Sequence, residues 1–256
     1  MNTEKSARIP WAFRDLAGIF FPQRCPVCDK ALPFGPRSKA PLGTQPDPFF
    51  HEACLSRLVF IQDPYCLRCG RPLSDEGAEY CPACRKRTWT FKQNLPLLLY
   101  NDAARFSISH FKYHGRQEFA LPYARLFMER HGEELGSLHA EALIPVPIHK
   151  SRLRKRGYNQ AALLAYELEK LSGIPCREDI LIRSKHTGAQ KELNRKERLS
   201  NMQNAFRLKT KPEGIQTVIL VDDIFTTGST LESCSRVLKK AGIRQIYTIT
   251  LSIAVE

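Results

Sequence analysis

The chain has 256 residues, 43% apolar and 25% charged, which is enough apolar content for a core and enough charge to argue for a soluble protein. No uninterrupted apolar stretch reaches the roughly 18 residues a spanning helix needs, so we expect a cytoplasmic chain with no membrane insertion. The net charge of +13 makes anions the expected partners, either nucleic acid or a polyphosphate, although a solvated basic face has the same composition.

Residues 1–24 contain "WAFRDLAGIFF", which has some character of an export signal. Arg14 and Asp15 interrupt it and no small-residue cleavage site follows, so an amphipathic N-terminal helix is the expectation. Cysteines then dominate: seven of the nine lie between Cys25 and Cys84. Disulfides are rare in the cytosol, whereas a C-x2-C pair offers two thiolates to one metal.

Cys66, Cys69, Cys81 and Cys84 form a C-x2-C-x11-C-x2-C ribbon, with Gly70 where a knuckle turn favours positive φ. Cys25, Cys28, His51 and Cys54 form a second set, whose halves are separated by 22 residues rich in Pro and Gly. His51 stands where a cysteine would serve, and imidazole is an ordinary zinc ligand; the alternative is a surface histidine beside a three-cysteine site. The pairing can be sequential or interleaved. Either way the protein fills every position, which predicts two structural Zn2+ sites in a double zinc-ribbon module over residues 25–90.

Residues 91–256 read as α/β. The apolar runs "LPLLLY", "ALIPVP", "TVILVDD" and "IYTITLSIAV" alternate with helix-period segments, which predicts a parallel sheet covered on both faces. Ala161, Leu164, Ala165, Leu168 and Leu171 share one helical face that Gly173 ends; Leu231, Cys234, Leu238 and Ala241 form another, closed by Gly242. Cys234 and Cys176 read as core. From Lys150 to Lys211 there are 16 Lys/Arg against 6 Asp/Glu.

"VILVDDIFTTGST", Val218 to Thr230, carries the chemistry. A central strand over Val218–Val221 would place Asp222 and Asp223 at its carboxyl end, where open parallel sheets bind ligands. Thr226, Thr227, Gly228, Ser229 and Thr230 then turn into a helix as a phosphate cradle. Carboxylates beside a phosphate point to a sugar phosphate. A Walker-type magnesium site is the competing reading, but the chain has no G-x-x-x-x-G-K-[ST] partner.

That segment resembles the phosphoribosyl-pyrophosphate (PRPP) motif of type I phosphoribosyltransferases. With "HFKYHGR", "IPVPIHKSRLRKRGYNQ" and "HTGAQKELNRKERLSNMQNAF", the chain resembles the ComF family of competence-type proteins from about Cys25 onward; His51 departs from its more usual cysteine. The resemblance implies a double zinc ribbon joined to a phosphoribosyltransferase-type domain, PRPP with Mg2+ as ligand, and a role in DNA uptake. It implies that Asp222 and Asp223 hold the ribose hydroxyls and Thr226, Thr227, Gly228, Ser229 and Thr230 the 5-phosphate. Arg152, Arg154, Lys155 and Arg156, in the turn after "IPVP", would face pyrophosphate. A lid would carry Lys185, Gln190 and Arg198, with Lys185 and Arg198 joining the acid pair in catalysis. Lys112 and Arg116 acquire no role. Three functions follow as expectations: phosphoribosyl transfer to an unknown acceptor, single-stranded DNA binding through the same pocket and basic stretch, or a scaffold docking other competence proteins.

Overall fold

The computed structural model describes residues 22–33, 40–184 and 205–255. Expectations for residues 1–21 and for the segment bearing Lys185, Gln190 and Arg198 lie outside these residues.

The four apolar runs form one parallel sheet. In chain order the elements are β1 (Asn94–Leu99), α1 (Asp102–Tyr113), α2 (Ala120–Ser137), β2 (Ala142–Pro145), α3 (Lys150–Arg156), α4 (Gln160–Ser172), β3 (Leu181–Arg183), β4 (Phe206–Leu208), β5 (Thr217–Phe225), α5 (Ser229–Lys240) and β6 (Gln245–Ile253). The sheet order is β1-β6-β5-β2, and β3 and β4 pair antiparallel as a separate ribbon. Both faces are covered. On one, Ile219, Val221, Ile249 and Leu251 pack with Phe111, Tyr123 and Leu168 from the α1, α2 and α4 side. On the other, Val218, Leu220 and Ile246 pack with Leu231, Cys234 and Leu238 of α5.

The helix boundaries follow local chemistry. Asn159 caps α4 by accepting from the Ala161 amide, and Gly173 ends it in the left-handed region at φ 76°. Cys234 is fully buried and Cys176 partly so, both packed on the core as expected. Two local expectations need correction. β5 does not stop at Val221 but runs to Phe225, because Asp222, Ile224 and Phe225 keep pairing with Thr250, Ser252 and Ile253 of β6. The basic run after "IPVP" is not an open turn but helix α3, whose first turn His149 caps through Ser151.

The cysteine-rich module docks on one end of this body. Asn94 donates to the Cys69 carbonyl at 2.9 Å and accepts from Thr248 at 2.8 Å, tying a knuckle to two strands. Backbone bonds from Leu99 to Val59 and from Ile61 to Leu97 lay the segment through Phe60 antiparallel along the outer edge of β1.

Candidate metal centres and phosphate site

The ligand sets pair sequentially: Cys25, Cys28, His51 and Cys54 converge in one cluster, Cys66, Cys69, Cys81 and Cys84 in the other, with ligand atoms within 4.8 Å of each other. The interleaved alternative is therefore set aside. The two halves repeat one design. Asp29 donates its amide to the Cys25 carbonyl as Gly70 does to that of Cys66, and both residues have positive φ, 57° and 76°. His51 and Cys81 each precede a single helical turn that presents Cys54 or Cys84.

Tetrahedral zinc with ligands at about 2.0–2.3 Å sets sulfurs about 3.8 Å apart and sulfur and nitrogen about 3.6 Å apart. Cys69 Sγ and Cys81 Sγ lie 3.8 Å apart, and Cys28 Sγ lies 3.4 Å from His51 Nδ1. The donor sets fit two structural zinc ions, and His51 occupies the place of the fourth ligand. Burial, with Cys28 and Cys25 adding to it, pushes the Cys54 thiol up, and a bound dication would favour its thiolate.

At the carboxyl end of β5, β2 leaves its neighbour at Val221 and β5 continues against β6 alone. Alternation along the strand sends the acids to opposite faces. Asp223 turns to the α1 and α4 side, where Lys112 Nζ lies 2.7 Å from Oδ1 and Gln160 donates to Oδ2. Asp222 turns towards Arg183 and Cys234. Burial raises its carboxyl to about 7, with Asp223 adding to the rise and Lys112 and Arg183 opposing it.

The loop after β5 turns through Gly228 at φ 69° into α5. A Cβ there would stand 2.5 Å from Phe225 Cζ and 2.7 Å from Trp89 Cη2, so the position requires glycine on two counts. Thr226 and Thr227 are exposed, Ser229 is buried and Thr230 partly so; the Thr227 and Ser229 hydroxyls lie 2.8 Å apart.

The expected pyrophosphate cations divide. Arg156 donates to Gln160, which in turn holds Asp223, and burial, with Arg152 adding to it, pulls the Arg183 guanidinium down. Arg154 and Lys155 are exposed. Sequence reasoning missed Lys112, Gln160 and Arg183 as neighbours of the acids, since nothing local marks a helix residue as the partner of a distant strand. It also missed Arg116, which pairs with Asp29 at 2.7 and 2.8 Å and fastens the first knuckle to the turn after α1. Arg87, Trp89 and Thr90 reach the loop after β5 and α5: Arg87 donates to the Thr227 carbonyl, and Thr90 to Glu232.

Known proteins divide the chain along the same lines. A double zinc ribbon family model matches residues 16–85 and a phosphoribosyl transferase domain model residues 153–252. Competence protein F of Haemophilus influenzae is 36% identical over 75% of this chain and 85% of its own length. Competence protein ComFC of Bacillus subtilis is 29% identical, covering 85% of this chain and 89% of itself. DNA utilization protein YhgH of Salmonella typhimurium is 28% identical over 73% of this chain and 83% of its own. Two four-ligand knuckle clusters joined to a parallel sheet whose strand β5 carries an acid pair ahead of a glycine loop, in a sequence this similar to Competence protein F, make the chain a member of the ComF family.

Proposed function

We propose that the carboxyl end of β5 binds PRPP and transfers its phosphoribosyl group to an as yet unidentified acceptor, in a protein that serves DNA uptake. One observation carries this reading: Asp222 and Asp223 lie in the last stretch of pairing of a central parallel strand, which after Ile224 and Phe225 enters a loop that only Gly228 can close. The names of the relatives, two competence proteins and a DNA utilization protein, support the biological setting.

In this reading the acids accept hydrogen bonds from the ribose hydroxyls. A carboxylate has about four lone-pair sites, so Asp223 can keep Lys112 and Gln160 and still take a hydroxyl. Thr226, Thr227, Gly228, Ser229 and Thr230 hold the 5-phosphate, and Arg152 and Arg156, with Arg154 and Lys155 further out, face the pyrophosphate. The roles expected of Lys185 and Arg198 fall on residues outside the described ones. The bond from the anomeric carbon to the pyrophosphate oxygen breaks and its electron pair leaves with pyrophosphate. The acceptor's lone pair forms the new bond, and its proton passes to solvent. Mg2+, carried with PRPP near the two carboxylates, would offset the charge of the leaving group.

Calorimetry with PRPP and Mg2+ tests the site. The wild type should bind, and Asp222→Asn with Asp223→Asn should abolish binding while the fold persists; unchanged affinity refutes the assignment. Release of pyrophosphate in a product search then separates turnover from binding alone.

A second reading, single-stranded DNA binding without catalysis, is favoured by the exposed Arg152, Arg154 and Lys155 on α3. Log K should fall with log salt at about −0.7 per phosphate contact, and replacing Arg152, Arg154 and Arg156 with Ala should flatten the slope by roughly two units. Competition by PRPP would place the DNA in the same pocket. Salt-insensitive binding, or none at low ionic strength, removes this reading.

A further inference from the structure

The segment from Arg87 to Thr90 falls between the two family models and belongs to neither. It follows the last knuckle cysteine, Cys84, and meets the phosphate loop at two points and the helix after it at a third. Trp89 packs on Gly228 where the loop has no side chain, with Cη2 and Cζ3 2.7 and 2.8 Å from the position a Cβ would take. Arg87 Nη1 donates to the Thr227 carbonyl at 3.3 Å, and its guanidinium lies 3.7 Å from the Trp89 ring centroid. The Thr90 amide and hydroxyl each donate at 2.8 Å to Glu232, a buried carboxylate in the first turn of α5 that also receives Arg236 at 2.7 Å.

These contacts bear on how the loop can hold an anion. Across a trans peptide the carbonyl and the following N–H point in opposite directions. With the Thr227 carbonyl drawn to Arg87, the Gly228 N–H points away from Arg87. A backbone anion nest needs its N–H groups turned to one side. Glu232, whose charge would repel a phosphate at the start of α5, is held and compensated by Thr90 and Arg236.

We propose that Arg87 and Trp89 are positioning residues of the phosphate site: they hold Thr227 and Gly228 in the shape that binds a phosphate monoester, so the second zinc knuckle helps set the affinity of a pocket on the other module. This rests on the reading of that loop as a phosphate site.

Ribose 5-phosphate is the probe, titrated into the full chain by calorimetry and by tryptophan emission. The chain has two tryptophans, Trp11 and Trp89, so a Trp11→Phe background isolates the one at the loop. We expect its emission to change saturably, with the midpoint found by calorimetry. Arg87→Ala and Trp89→Ala should each weaken binding about tenfold, the scale of one charge-assisted hydrogen bond or well-packed contact at a partly open site. Trp89→Phe should restore most of the affinity, and zinc content should stay at the wild-type level throughout. Wild-type affinity in either alanine variant, or unchanged Trp89 emission at calorimetric saturation, overturns the inference while leaving the phosphate site standing. No calorimetric binding by the wild type overturns both.

Discussion

Asp222→Asn should make the protein more stable while removing ligand affinity. The carboxyl of Asp222 is raised from 3.8 to about 7, first by burial and then by Asp223. An acid whose folded value lies above its unfolded value costs stability once it must ionise. That cost is absent well below pH 4, grows as pH rises from about 4 to 7, and is constant above. At about 1.36 kcal/mol per unit the rise sets an upper bound of about 4 kcal/mol above pH 7. Asp222 keeps some exposure to solvent, so we discount this to about 1–2 kcal/mol. Asparagine keeps the oxygen that accepts from the Asp223 amide and carries no charge at any pH. For a chain of this size the gain corresponds to roughly 2–8 °C in Tm. Thermal melts of wild type and Asp222→Asn from pH 5 to 8 should show the variant ahead at pH 8 and the gap closing towards pH 5. Zinc loss on acidification affects both proteins and cancels in the difference. A variant no more stable at pH 8, or a gap that does not change with pH, would refute the claim that the acid is held at a cost for function.

Metal analysis should find two zinc ions per chain. Cys66→Ser should lose one and unfold the surrounding knuckles, whereas His51→Ala should be milder because water can complete three thiolates; circular dichroism and zinc content check both. Gly228→Ala places a methyl within 2.5 Å of Phe225 and 2.7 Å of Trp89 at a positive φ. It should cost about 1–3 kcal/mol in chemical denaturation and abolish ribose 5-phosphate binding in calorimetry.

What the sequence makes legible here is whatever depends on neighbours along the chain. Apolar runs mark all four strands of the parallel sheet, Gly173 and Gly242 mark the ends of α4 and α5, and C-x2-C spacing marks the metal ligands. What it hides depends on distant partners. The end of β5 is masked because Asp222 is polar, yet β6 continues to pair with it through Thr250 and Ser252. Adjacent in sequence, the two acids diverge in space because a strand alternates, and only then do Lys112 and Gln160 emerge as the side chains that hold Asp223. β3 and β4, three residues each, are too short to show a period. The packing of Trp89 on Gly228 has no local signature at all, since a tryptophan in a linker can pack anywhere.

The strip of chain through Phe60 that runs along β1 has a further consequence. β1 is an edge strand of sequence NLPLLL, and its outward backbone groups would otherwise be open to another strand. An exposed apolar edge of this kind is a template for intermolecular pairing. The covering strip lies between the two knuckle clusters, so the metal sites that hold those clusters also keep the sheet shielded. Chelation would then do more than loosen a small module. It would release a sticky edge, and the stripped protein should precipitate by sheet-to-sheet association well before its α/β core melts.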